Sequence, residues 1–396
     1  MSPTLLPEPP ATEIRYTLIS VDDHVMEPPD VWGDGRIASK YQDRAPRAID
    51  LPDGAMAWEY EGEILTDYGV SAAAGRPKDE WTLDPIALSD VRPGAWDIHH
   101  RVRDMDLDGV YAQVIFPGVP WGFAGRIFAA TKDQELGLEV LRGYNRWHLE
   151  VLAGTYPNRV IPMQLPWLAD PKIAAEEIRA NAEAGFKAVS FADNPANLGF
   201  PPISSEEWDP FLKACEETET VVCLHIGASD QLVTSRPDAP IEVITSLFAS
   251  GAMVAATEWI WGAIPIRFPK LKVALSEGGI GWVPMLIDRL DYVVSRSGSH
   301  GDGPKLYAKH GLSPSEALRE HFWFCILDDP SILEIRDRIG VDHIMVETDY
   351  PHADTTWPNS QDMFSELLDG MPDDEVQKMT HLNAAKLFRH PLPDAA

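Results

Sequence analysis

Apolar positions along the chain fall into short, nearly unbroken runs separated by longer stretches of helical period. The runs are YTLISVDDH (16–24), AQVIFPG (112–118), RVIPMQLPW (159–167), AVSFAD (188–193), TVVCLHIG (220–227), LKVALSE (271–277), FWFCILDD (322–329) and HIMVETDY (343–350). Runs apolar on both faces fit parallel strands covered by helices. Helical patterns lie between most of them, at 134–154, 171–185, 204–217, 241–262 and 280–296. Ser204 and Glu207 have the spacing of a capping box. Eight strands alternating with helices predict an α/β fold, a closed (β/α)₈ TIM barrel, with an open doubly wound sheet as the runner-up. No glycine-rich phosphate loop follows any strand, which removes the nucleotide-binding versions of the open sheet.

One crossover departs from this rhythm. Residues 25–111 separate the first two strands, where an ordinary βαβ unit needs roughly 30 residues in all. Within them AWEYEGEILT (57–66) alternates about Glu61-Gly62 and reads as a hairpin. Long excursions at the C-terminal ends of barrel strands are usually functional, so 28–95 is expected to be a lid over the pocket, with an oligomer contact as the alternative. Residues 1–15, rich in proline near their start, are expected to form a loose arm before a single domain spanning 16–396.

Charge narrows the partners. The 396 residues carry 62 acidic and 33 basic side chains, a formal net charge of −29. Such a surface repels nucleic-acid phosphates and anionic membranes. No run is long and apolar enough for a membrane span, and the N-terminus shows no signal-peptide pattern. Three cysteines, Cys215, Cys223 and Cys325, form no framework and suit a reducing cytoplasm. The expected partners are a small-molecule substrate and a second copy of the chain in a homodimer.

The chemistry concentrates at strand ends. Side chains two apart on a strand share a face, so Asp22 and His24 point together and Asp23 points away. His225, Glu277 and Asp349 end three further strands, and His352 follows in the last loop. Ionisable groups at the ends of apolar strands are costly to bury unless paired or bound to metal, and in a barrel all C-terminal strand ends meet at one mouth. A shared metal site is therefore expected, against an all-hydrogen-bonded polar network. Arg101, just before the helix that leads into the second strand, has the geometry to grip a substrate carboxylate; the other reading is a solvated side chain. Trp121 and Phe123 either line an aromatic subsite or cap the barrel. Glu347 should lie one layer below Asp349, with Ser20 as its partner.

VDDHVMEPPDVW, the strand-end HIG, FPKLKVALSEGGIGWVPMLIDRLD, ETDYPHADTTWPNS and HLNAAKLF together resemble the amidohydrolase-2 branch of the amidohydrolase superfamily. That branch includes aminocarboxymuconate-semialdehyde decarboxylase and the resorcylate-type decarboxylases. The resemblance spans about 16–390. It implies one divalent ion held by Asp22, His24, His225 and Asp349. Zn²⁺ is the first choice, and Mn²⁺ gains from the oxygen-rich donor set. The decarboxylases carry a His at the sixth strand tip, where this chain has Glu277. The expectation is thus a hydrolase of an amide, ester or lactone using metal-activated water, with Glu277 as general base and Asp349 sharing the role. The alternatives are decarboxylation of an aromatic or unsaturated acid and a non-catalytic binding protein on a decayed barrel.

Overall fold

The computed structural model describes residues 5–33, 35–296 and 301–393. Its centre is a parallel sheet of eight strands, named here β1 (Leu18–His24), β2 (Val110–Phe116), β3 (Val160–Ile161 and Met163–Gln164), β4 (Ala188–Phe191), β5 (Val221–His225), β6 (Val273–Ser276), β7 (Phe322–Ile326) and β8 (Ile344–Val346). Neighbours in sequence are neighbours in space, and β8 pairs with β1 at Ser20↔Val346. The ring closes through β3. Its first half pairs with β2 at Gln113↔Val160, and its second with β4 at Met163↔Ala188. Pro162 divides the halves because it has no N–H for the ladder, yet its carbonyl accepts from Lys187 N at 2.9 Å. The predicted closed barrel is the observed one, and the open sheet is excluded.

The strands are apolar because both faces are covered. Ile19, Val21, Ala112, Val114 and Cys223 fill the interior, while Leu18, Val110, Val189 and Val222 face the helices. At the N-terminal end of the strands the interior is plugged by Ala384, Leu387 and Phe388 of the last helix, Asn383–Phe388. Asn383 anchors that plug by donating to the carbonyls of Ile344 and Val341 at 2.8 and 2.7 Å.

Between β1 and β2 lies an antiparallel sheet of Arg47–Asp50, Met56–Tyr60 and Glu63–Thr66. The hairpin turns at Glu61 and Gly62, where the pattern placed it, and both have positive φ (49° and 84°), as a tight two-residue turn requires. Trp58 of this sheet packs edge-on against Trp32 and Trp121, ring centroids 5.2 and 5.1 Å apart, and so ties the excursion to the barrel rim.

Several local expectations change. The 204–217 helix starts later, as a short turn Glu206–Trp208 followed by Asp209–Thr218, and its cap is Ser205, which accepts from Glu207 N. The 241–262 pattern divides at Leu247 into Ile241–Ser246 and Phe248–Trp261. Residues 5–15 form no helix or strand but are tied down rather than loose: Leu6 N donates to Gly75 O, Thr12 N to Leu107 O, and Glu8 pairs with Arg103.

Candidate metal centre

The C-terminal mouth of the barrel gathers the ionisable residues named from sequence. β1 delivers Asp22 and His24, and the chain beyond β8 keeps pace with it: Asp349 N donates to Asp22 O at 2.9 Å, and His24 N to Tyr350 O at 2.7 Å. Asp23, on the opposite face, latches the same tip by accepting from Thr348 Oγ1 and Tyr350 N at 2.7 and 2.9 Å. Burial of that carboxyl pushes it up to about 7. Ser20 serves Thr348 as well, receiving its N–H at 2.8 Å; Glu347 is not its partner. Glu347 instead accepts from Glu277 N at 3.1 Å.

The two imidazoles meet through their Nε2 atoms, 3.0 Å apart. Each Nδ1 faces a carbonyl oxygen, Pro117 O at 3.3 Å for His24 and Ile226 O at 2.7 Å for His225. A carbonyl only accepts, so both hydrogens sit on Nδ1 and both Nε2 lone pairs face each other. Burial lowers the pKa of both rings, that of His225 to about 3, so neither relieves the clash by charging. Asp22 brings its two oxygens to 3.4 Å from His24 Nε2 and 3.5 Å from His225 Nε2. Asp349 lies 3.7 Å from His24 Nε2. None of the four oxygens of these two buried carboxylates has a hydrogen-bond partner. Burial and neighbouring carboxylates raise both pKa values strongly. Lone pairs and orphaned carboxylate oxygens converging in a dry site are what a divalent cation neutralises, so the donor set fits the ion that the sequence implied.

Glu277 and His352 complete the rim. Glu277 directly follows β6, with its Oε2 3.6 Å from His225 Nε2 and its side chain 18% exposed. Glu277 and Asp349 both hold positive φ (54° and 47°), a conformation costing of the order of 1–3 kcal/mol for a residue with a Cβ and concentrated at functional sites. His352 stacks on His24 with centroids 3.7 Å apart and places Nδ1 3.1 Å from Asp349 Oδ1. Its Nε2 has no partner.

These groups open onto a cavity of about 460 Å³. Tyr68, Val119, Phe123, Leu232 and Phe248 give it an apolar wall, and Arg126 is its one Lys or Arg among the described residues. Arg126 pairs with Asp230 at 3.1 Å and stays one-third exposed. The Phe123 ring lies 4.0 Å from that of His225, centroid to centroid.

Two sequence-named binding residues lie elsewhere. Arg101 is 2% exposed and faces the protein: Nε donates to Gly94 O at 2.6 Å, Nη1 to Gln113 Oε1 at 3.3 Å, and Nη2 to His24 O. Stacked 4.4 Å above the Tyr350 ring, it braces the β1 tip from behind and cannot meet a substrate there. Trp121 is fully buried between Trp32, Trp58 and Phe128 and does not line the cavity. Arg126 was missed because it lies five residues past Trp121, with no motif around it. The latch role of Asp23 was missed because strand parity only says that it points away.

Comparison with known proteins agrees with this architecture. A family model described as Amidohydrolase matches residues 28–390. An amidohydrolase from Mycobacterium avium subsp. paratuberculosis K-10 superposes with a TM-score of 0.71 at 20% identity, over 95% of this chain and 98% of that one. A 5-carboxyvanillate decarboxylase from Novosphingobium aromaticivorans DSM 12444, solved with manganese and 4-hydroxy-3-methoxy-5-nitrobenzoic acid, gives 0.63 at 17% identity, over 96% and 98%. A 2,6-dihydroxybenzoate decarboxylase from Rhizobium gives 0.60 at 17% identity, over 94% and 99%. At these identities the likeness carries the fold.

Proposed function

The chain belongs to the amidohydrolase family of enzymes, and we propose from that premise that it is a metal-dependent carboxy-lyase acting on a small aromatic acid. The observation that carries this reading is the cavity: an apolar, partly aromatic wall with Arg126 as its one Lys or Arg among the described residues, bordered by Asp349, Glu277 and His352, behind which His24, Asp22 and His225 lie buried. An aromatic ring suits that wall, and a carboxylate suits that end. The two decarboxylases among the structures compared act on hydroxylated benzoic acids, which supports the choice by analogy. The sequence-based preference for hydrolysis therefore gives way to its alternative.

Asp22, His24, His225 and Asp349 are the proposed ligands. Two carboxylates beside two imidazoles favour Mn²⁺ over the Zn²⁺ first expected. A bound divalent ion would supply positive charge to orient the substrate's oxygens and steady the charge that develops as the carboxylate leaves. The chain's own residues do the rest. Phe123 and the apolar wall exclude water, and Arg126 steers the anion inward. The carbon–carboxylate bond breaks, its electron pair stays on the ring carbon, and carbon dioxide departs neutral. A proton must then reach that carbon, and Glu277 is the proposed donor. Its carboxyl borders the cavity and lies 3.6 Å from His225 Nε2, so it faces a substrate held beside the proposed ligands. His352 orients Asp349. Residues 28–95 serve as the lid, since Tyr68, Val70 and Leu83 face the cavity.

Hydrolysis stays as the second reading for one reason: Glu277 stands where the resembled decarboxylases carry a His, and a carboxylate there suits a general base. The test is a panel of hydroxybenzoic acids and of aryl esters and lactones, offered to manganese-loaded protein. Carbon dioxide release from an acid is expected. Hydrolysis of an ester or lactone with no carbon dioxide from any acid would contradict the proposal.

A further inference from the structure

A second and larger chamber, about 790 Å³, lies behind the metal cavity. Glu277, Asp354, Phe248 and Thr245 border both and form the partition. On the far side the chamber is bordered by Gly75, Arg76, Lys78 and Trp81 and by Leu6 and Pro7 of the N-terminal arm, which Leu6 N pins to Gly75 O at 2.8 Å.

Arg76 lines this chamber and is 6% exposed. Its Nη2 donates to Glu80 O at 3.2 Å, but Nε and Nη1 have no partner. Trp81 lines the same chamber, and its buried Nε1 also has no partner. Lys78 adds an ammonium 5.7 Å from the Trp81 ring. An unsatisfied donor in a buried position costs about 1–3 kcal/mol, and more when it carries charge. Carboxylates do border the chamber, namely Glu277, Glu347, Asp328, Asp329 and Asp354, yet none comes within 4.0 Å of Arg76 among the described residues. The described residues of the chain supply no acceptor for these donors. The acidic wall disfavours a phosphate dianion, whereas Leu6, Trp357 and Met363 offer surface to an organic body.

We propose that this chamber is a second binding site, which takes an organic carboxylate on Arg76 and Trp81 Nε1. The acid is either the far end of the substrate, reaching past Glu277, or a separate molecule. The proposal stands independently of the reaction assigned to the metal cavity, because its readout is binding.

Calorimetric titration of the metal-loaded full chain with benzoate, isophthalate and inorganic phosphate tests it. Benzoate should bind in an Arg76-dependent class of site. Arg76→Gln should weaken that class about tenfold to a hundredfold, the worth of a hydrogen bond to a charged group. Trp81→Phe should weaken it by a smaller factor, and Arg126→Gln should leave it in place. If one acid spans both cavities, isophthalate binds as a single event that Arg76→Gln and Arg126→Gln both weaken. If the acid is separate, each variant removes its own class. Benzoate isotherms of Arg76→Gln and Trp81→Phe that superimpose on wild type would overturn the proposal. So would absence of benzoate binding in the millimolar range, or Arg76-dependent phosphate binding tighter than that of benzoate. Should Arg76→Gln fail to fold, Arg76→Lys, which keeps the charge but moves the donors, and Trp81→Phe decide the matter on the same terms.

Discussion

The two ends of the barrel are built from the same eight strands to opposite specifications. At the N-terminal end the strand residues are aliphatic, and the plug of Leu387 and Phe388 leaves them dry and satisfied. At the C-terminal end the same strands finish in Asp22, His24, His225, Glu277 and Asp349. There lone pairs face one another, carboxylate oxygens lack partners and two residues hold strained backbone. One end is organised for stability and the other carries stored electrostatic repulsion that a cation would relieve. Substitutions at the two ends should therefore separate activity from stability.

The largest effect is expected at Glu277. Glu277→Gln keeps the size of the side chain but removes its exchangeable proton, so kcat should fall about 10²–10⁴-fold while metal content is unchanged. Steady-state kinetics beside metal analysis decides this. Near-wild-type turnover would make Glu277 a structural partner, and loss of metal would make it a ligand. At the other end, Phe388→Ala empties part of the plug. It should destabilise the protein by about 3–5 kcal/mol in denaturant titrations while kcat changes little. A kcat loss as large as that of Glu277→Gln in the folded variant would erase the distinction between the ends.

A smaller effect sharpens the picture at the boundary. Glu27 is buried, accepts from Gly118 N and Tyr144 Oη at 2.9 and 2.7 Å, and is pushed up to about 7 by desolvation. Gly118 allows that approach, since a Cβ there would come within 2.6 Å of Glu27 Oε2. A raised carboxyl binds its proton more tightly folded than unfolded. Its contribution is thus complete below the ordinary value of 4.5 and is lost as pH rises through about 7. Stability should fall across that window by up to about 3 kcal/mol from this group. Glu27→Gln, which still accepts both hydrogen bonds, should flatten the slope. An equally steep slope in the variant would show that Glu27 does not carry it.

Much of this was legible in the sequence because it depends on local patterns. Buried parallel strands need continuous apolar runs, and all eight appeared, with ends displaced by a few residues. The four proposed ligands were visible because ionisable residues stand out at the tips of such runs. Partners distant in sequence were not visible. Arg101 looked like a substrate anchor, but its guanidinium is consumed by Gly94, seven residues before it, and by Gln113 and the His24 carbonyl on two barrel strands that only the fold brings to it. Trp121 looked like a subsite because nothing local reveals that Trp32 and Trp58 enclose it. Arg126 and Arg76 gain meaning only from the cavities they face. The cap moved from Ser204 to Ser205 because both serines offer a hydroxyl, and only the backbone geometry chooses between them.

The central claim is that the repulsion at the C-terminal mouth exists to hold one divalent ion. Elemental analysis of the purified protein and of His225→Ala, paired with activity before and after exhaustive chelation, tests it most directly. The account predicts one ion per chain in the wild type, its loss in His225→Ala, and activity that disappears with the chelator and returns with Mn²⁺. Full activity in metal-free protein, or the same metal content in His225→Ala, would contradict it.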